Sequence, residues 1–260
     1  MCGIVGFINC KNYRRDDSVS IIHKMNKSLN HRGPDDEGIW VDQDYGIAFG
    51  HRRLSVIDVS RGGAQPMVSS NGRFIISYNG EVYNYKKIKK KLEENGKPIL
   101  LKGRSDTEII LAAIERWGMR DSLSLFVGMF AFALWDRKLN TLSLARDRFG
   151  EKPLYYGIQK NTFMFSSELN ALKNHPEFLK QIDRNVIPLL LRHNCIPAPY
   201  SIYKGIYKLK PGHIIEIQFN YETHISKLKV KSKSYWEIND NDENETNTFV
   251  SSTDRALSEL

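Results

Sequence analysis

Four side chains in this sequence have the chemistry to cut an amide together. Cys2 stands one residue from the N-terminus, followed by Gly3 and a short apolar run. If Met1 is trimmed, Cys2 carries a thiol and a free α-amine on one carbon. An α-amine titrates at roughly 7.7–8.0 and an ordinary thiol near about 8.5. A base that titrates close to the working pH, held beside a thiol, activates it as a nucleophile. Attack on a carbonyl also needs donors aimed at the charge that develops on oxygen. Asn79-Gly80 can supply them: the asparagine donates through its amide, and glycine lets its backbone N–H approach closely. Asp106, in the first turn of a predicted helix, can hold an ammonium. Arg53, beside Leu54, Val56 and Ile57, can grip a carboxylate in two prongs. A cation and an anion held apart around a small pocket suit a free amino acid.

Each residue also has a plainer reading. Cys2 alone is a small buried hydrophobe, and Asn79-Gly80 alone is a turn. Asp106 alone is a helix start favoured by the dipole. Arg53 alone is half of a surface ion pair. The elements that carry these residues determine whether they can meet.

Residues 3–9 read as a short buried strand, broken by Gly6. Val19, Ile22, Met25 and Leu29 form a helical stripe over 17–29, stopped at Gly33-Pro34. Residues 38–49 read as a hairpin turning near Asp42–Asp44. A strand at 73–78 runs into Asn79-Gly80-Glu81, which places the donors at a strand-to-helix junction. The following helix turns Tyr85, Ile88 and Leu92 inward and ends at Asn95-Gly96. Ser105 and Glu108 have the spacing of a capping box. The helix they open buries Ile109, Ile110, Ala113, Ile114 and Trp117 and closes at Gly118. Strands follow at 128–136, 141–146, 153–157 and 162–166, then helices near 167–173 and 184–193. Residues 211–219 read as an edge strand led by Pro211. Helices before a run of strands indicate an α+β layered fold.

With 260 residues, 41% hydrophobic and 26% charged, the chain is long enough to bury a sizeable core. No apolar run approaches the roughly 18 residues of a membrane helix, and the N-terminus lacks a signal-peptide pattern. Three cysteines without C-x-x-C spacing suit a reducing cytoplasm, with neither a disulfide framework nor a zinc site. The net charge of +8 and the lysine runs at 86–91 and 227–233 admit a basic nucleic-acid-binding module. Only Tyr85 adjoins the first run, so no stacking platform supports that reading. Solvated surfaces account for both runs.

Taken together, the motifs resemble one family. In order they are Cys2-Gly3-Ile4-Val5-Gly6, His31-Arg32-Gly33-Pro34-Asp35, Arg53-Leu54-Ser55-Val56-Ile57-Asp58 and Tyr78-Asn79-Gly80-Glu81-Val82-Tyr83-Asn84. Ser105-Asp106-Thr107-Glu108, Gly128–Ala133, Arg146–Tyr156 and Phe165-Ser166-Ser167-Glu168 follow. This series resembles the glutaminase half of glutamine-dependent asparagine synthetases, a class II glutamine amidotransferase unit. Relatives that feed ammonia to sugar phosphates or to phosphoribosyl pyrophosphate usually carry a Thr-Arg-Trp-like stretch where this chain has Arg53-Leu54-Ser55.

The resemblance implies a four-layer αββα sandwich of the N-terminal-nucleophile hydrolase type. It implies that Cys2 attacks the glutamine side-chain amide and that its own α-amine shuttles the proton. Asn79 and Gly80 match the oxyanion hole, and Arg53 matches the grip on the substrate α-carboxylate. Asp106 and Glu81 match positions near the α-amino group, and Leu54, Val56 and Ile57 match backbone that lines the site. The amidotransferase unit is expected over 2–220, a terminal strand segment over 221–238 and a linker over 239–260. The linker would lead to an ATP-dependent synthetase domain that is missing here, which would make the chain a fragment. No cofactor or metal is expected in the present unit; Mg-ATP is expected in the missing one. The expected partners are L-glutamine and that synthetase domain in cis, with no nucleic acid and no membrane; a homodimer stays open. Aspartate is the expected ammonia acceptor, with another carboxylate, such as a cell-surface sugar acid, as the alternative.

Overall fold

Gly3–Ile8 forms the first strand, β1, and all six of its residues are buried. Successive strand side chains point to opposite faces. Ile4 and Ile8 therefore enter one apolar cluster, while Val5 and Phe7 enter another. A strand buried on both faces must sit inside a sheet that is covered on both sides. The chain, a computed structural model describing residues 1–9, 14–55, 61–94, 101, 103–219 and 225–237, builds that arrangement.

β1 pairs antiparallel with β3 (Ile47–Arg53) on one side and β9 (Thr162–Ser166) on the other. β2 (Asp36–Asp42) lies outside β3, and β8 (Tyr155–Gln159) and β10 (Ile206–Lys208) lie outside β9. The second sheet holds β4 (Met67–Val68), β5 (Phe74–Val82), β6 (Gly128–Asp136), β7 (Thr141–Arg146), β11 (His213–Gln218) and β12 (Ser232–Ser234). Its order is β12-β11-β7-β6-β5-β4.

Ile4, Phe49, Ile75, Ala133, Trp135 and Phe165 pack between the sheets. Gly6 faces the same layer and gives the Phe165 ring its space: a Cβ there would stand 2.3 Å from that ring. Outside the first sheet, α1 (Arg15–Lys27) and α5 (Leu169–Leu172) bring Ile22, Met25, Ala171 and Leu172 against Val5, Phe7 and Ala48. Outside the second, α2 (Tyr85–Glu94), α3 (Asp106–Trp117) and α4 (Met119–Leu125) bring Ile88, Leu92, Ile110, Ile114 and Leu123 against Ile76, Phe130 and Phe132. Each Ile, Leu, Met or Phe among them contributes about 1.5–3 kcal/mol on burial. The result is the expected four-layer αββα sandwich. No described helix is long and apolar enough to cross a membrane. A further short helix, α6 (Ile187–His193), buries none of its residues.

Four local expectations change. Asn79-Gly80 is not at a strand-to-helix junction, because β5 continues to Val82 and pairs Asn79 with Ala131 and Gly80 with Phe130. The turn falls at Tyr83–Asn84. Ser105 precedes α3 but its side chain makes no cap bond; the Glu108 carboxylate accepts from Gly103 N instead, at 2.8 Å. Residues 211–219 are not an edge, because β12 pairs with β11 at His213–Ile215. The strand expected at 153–157 runs from Tyr155 to Gln159. The predicted close of α2 at Asn95-Gly96 and the predicted linker at 239–260 lie outside the described residues.

Two bonds tie the sheets together next to the strand ends that carry the chemistry. His51 Nε2 lies 2.9 Å from the Tyr78 carbonyl oxygen, and Ser77 Oγ donates to Gly50 O at 3.2 Å. They pin β3 of one sheet to β5 of the other.

Candidate active site

That cross-link brings the start of β1, the end of β3 and the middle of β5 to one place. A cavity of about 170 Å³ opens there. Cys2, Arg53, Leu54, Asn79, Gly80, Glu81 and Asp106 all line it. Residues up to 104 positions apart in the chain thus share one pocket. Val56 and Ile57 lie outside the described residues.

Cys2 sits immediately before β1, half-buried. Leu54 N–H donates toward its sulfur at 3.4 Å, and the thiol reaches Leu54 O at 3.7 Å. Burial pushes the thiol up from its ordinary range. The Leu54 N–H, the chain's terminal ammonium, Arg53 and Arg32 pull the other way without overcoming it. The Cys2 carbonyl accepts from Arg32 Nε at 3.0 Å.

Across the cavity, Asn79 is buried in β5, and its amide Nδ2 has no hydrogen-bond partner among the described residues. A buried amide donor is expensive to leave unmet, at about 1–3 kcal/mol. Asn79 lines the same cavity as Cys2. Gly80 follows, and its lack of a side chain is forced: a Cβ would stand 2.2 Å from Met129 O and 2.6 Å from Phe130 Cα.

Asp106 lines the cavity too. Its Oδ2 accepts from Tyr78 Oη at 2.8 Å and from Val82 N at 2.9 Å. Burial pushes this carboxyl above its usual range; the Val82, Tyr78 and Thr107 bonds offset part of that, and Glu81 adds to it. Tyr78 is held well above its ordinary value by burial and then by Asp106, so it stays a neutral donor. Arg53 is buried at the end of β3.

Sequence reasoning gave no role to several lining residues. Gln65 accepts from Tyr78 N through Oε1 at 2.7 Å and reaches Thr107 Oγ1 through Nε2 at 3.5 Å. It fastens β5 to the start of α3, so that Asn79 and Asp106 keep their spacing. Lys152 is buried at the cavity wall. Its loop is folded around buried Asp147, whose carboxylate accepts from the N–H groups of Phe130, Phe149, Glu151 and Lys152 at 2.9–3.2 Å. Arg146 adds bonds to Lys152 O at 2.7 Å and Leu209 O at 2.6 Å. The Arg146–Lys152 motif carried a signal, a run of charged residues around Phe149-Gly150. Gln65 carried none, because its place depends on a loop path.

Comparison with known proteins agrees with this geometry. The glutamine amidotransferase domain family matches residues 1–236. The chain is 36% identical, over 92% of its length, to the putative asparagine synthetase [glutamine-hydrolyzing] 2 of Methanocaldococcus jannaschii, and spans 47% of that protein. It is 35% identical, over 83% of its length, to asparagine synthetase [glutamine-hydrolyzing] 3 of Bacillus subtilis, and spans 34% of it. The chain thus spans half or less of the length of these relatives. Among solved structures, the glutamine phosphoribosylpyrophosphate amidotransferase of B. subtilis superposes with a TM-score of 0.63 at 20% identity, over 91% of this chain and 50% of that one. That likeness is one of fold. Fold and sequence relationship converge: the chain belongs to the glutamine amidotransferase domain family.

Proposed function

We propose that this domain hydrolyses L-glutamine to glutamate and ammonia through a glutamyl thioester on Cys2. Removal of Met1, which itself lines the cavity, frees the Cys2 α-amine. That amine takes the thiol proton as sulfur attacks the side-chain carbonyl carbon. The carbonyl oxygen becomes an oxyanion, held by Asn79 Nδ2 and the Gly80 N–H. The C–N bond then breaks, and the amine returns the proton to the departing nitrogen as ammonia. Water attacks the thioester with the amine as base, the C–S bond breaks, and glutamate leaves with the thiol restored. Two easier steps replace one hard one.

Arg53 grips the substrate α-carboxylate and Asp106, with Glu81, the α-ammonium; the backbone of Leu54, Val56 and Ile57 lines the site. The observation that carries the reading is the buried, unpartnered Asn79 amide in the same cavity as the Cys2 thiol. The relatives' names support the wider role: ammonia passes to an ATP-dependent synthetase domain that amidates aspartate. Mg-ATP belongs to that domain. The test is ammonia release from glutamine by the parent and by Cys2→Ala, with intact mass to read Met1. The parent should release ammonia and lack Met1, and Cys2→Ala should be inactive with its fold intact. Turnover by Cys2→Ala would sink the thiol mechanism.

A further inference from the structure

The motif Phe165-Ser166-Ser167-Glu168 lies outside the cavity with Cys2, yet its side chains converge on the backbone that carries Cys2. The β1–β9 ladder reaches only as far as Val5↔Ser166. Beyond it the chain turns into α5, leaving the start of β1 without a regular partner on that side. Side chains take over there. Ile4 N–H donates to Ser167 Oγ at 3.0 Å. The Ile4 carbonyl accepts from Ser167 N at 2.9 Å and from Ser166 Oγ at 3.1 Å. Both serines are fully buried.

Two residues earlier, the Cys2 carbonyl accepts from Arg32 Nε at 3.0 Å, and the same guanidinium donates through Nη1 to Glu168 Oε1 at 2.9 Å. Glu168 N–H donates in turn to Ser166 Oγ at 3.2 Å. His31 Nε2 adds a contact to Glu168 at 3.1 Å. A guanidinium is planar and its donors are fixed in a fork, so an acceptor on one prong orients the other. The backbone is thus held at Ile4 by Ser166 and Ser167 directly, and at Cys2 by Arg32, which Glu168 holds in turn.

We propose that Ser166, Ser167 and Glu168 are positioning residues that set where the Cys2 sulfur stands relative to Asn79 and Leu54. The inference rests on the reading of Cys2 as the nucleophile. Glu168 touches no substrate in that reading; it acts through Arg32. A nucleophile displaced by about 1 Å loses on the order of a hundredfold in rate, while substrate gripped elsewhere binds as before.

The test uses Glu168→Ala, Glu168→Gln and Cys2→Ala, assayed for glutamine hydrolysis and thermal unfolding. An electrophilic glutamine analogue counts competent sites. Glu168→Ala should lower kcat per titrated site about ten- to a hundredfold and leave KM within about threefold. Glu168→Gln keeps an acceptor for Arg32 in the same shape and should recover most of the loss. A purely structural role would lower the melting temperature and the number of competent sites but not kcat per site. Near-parent kcat per site in Glu168→Ala, or no recovery in Glu168→Gln, overturns the proposal. In either case an inactive Cys2→Ala leaves the nucleophile reading standing; an active Cys2→Ala removes both.

Discussion

Tyr78 Oη donates to Asp106 Oδ2 across 2.8 Å, between two residues that are each almost wholly buried. The same carboxylate oxygen accepts from Val82 N, so one strand holds the anion at two points. Both bonds favour the ionised form, against the burial that raises the carboxyl. If ionised Asp106 grips the substrate ammonium, Tyr78→Phe should raise KM for glutamine. It should also move the acid limb of the kcat/KM profile to higher pH, because the carboxyl loses a donor. The variant loses a buried bond to a charged group, worth about 1.5–3 kcal/mol. An unchanged acid limb would separate Asp106 from substrate binding.

Asn79→Ala should divide activity from stability. Its Nδ2 is a buried donor without a partner among the described residues. Removing such a group relieves a desolvation cost, so the melting temperature should hold or rise slightly. Removing an oxyanion donor costs about 10²–10³ in kcat. Steady-state kinetics and thermal unfolding on the same sample check both halves. A variant with parent kcat would take the amide out of the mechanism.

Gly80→Ala is expected to damage the site by steric force. The new Cβ would meet Met129 O and Phe130 Cα, backbone of the neighbouring strand that cannot rotate away. Overpacking of this kind costs about 1–3 kcal/mol, occasionally more. Gly72→Ala is the control. It has open space around it but a φ of +75°, and its cost should be that of the left-handed backbone alone, about 1–2 kcal/mol. Urea unfolding of both variants should show that only Gly80→Ala also lowers turnover per folded molecule.

The same two strands show which features a sequence can carry. The strands at 128–136 and 141–146 were readable to their ends, because a continuous apolar run and an alternating one meet at a polar turn. The end of β5 was not readable, because Asn79-Gly80 is ordinarily turn chemistry. Here the glycine serves close contact with β6, a cause visible only when Met129 lies beside it. Cys2, Arg53 and Asp106 each have an ordinary local reading and stand out in the sequence only as a set; the structure places all three on one cavity. Gln65 and Lys152 were not legible. Each enters the cavity from a loop whose path is set by bonds to Tyr78 and to Asp147, which no local pattern encodes. The clamp on Ile4 and Cys2 was visible only as the motif Ser166-Ser167-Glu168, without a reason for it.

Acid should loosen the fold well before its ordinary carboxylates protonate. His51 is wholly buried between the sheets, where burial lowers its pKa to about 4 despite the bond to Tyr78 O. His175, packed against the Phe7 ring, is lowered by burial to about 4 as well. In the unfolded chain both titrate near about 6.5. Between these values the unfolded chain binds more protons than the folded one, so stability falls as pH falls from 6.5 towards 4. A shift of about 2.5 units corresponds to about 3 kcal/mol per histidine, reached at pH 4. Glu168 and Asp136, held low by their arginine partners against their own burial, lose stabilisation in the same direction at lower pH. Asp106, held high by burial, opposes the trend. The urea midpoint should therefore decline steadily from pH 6.5 to 4.5, and His51→Gln should flatten the decline by removing one titrating site. A midpoint that stays level between pH 6.5 and 4.5 would show that neither histidine is held neutral by the fold.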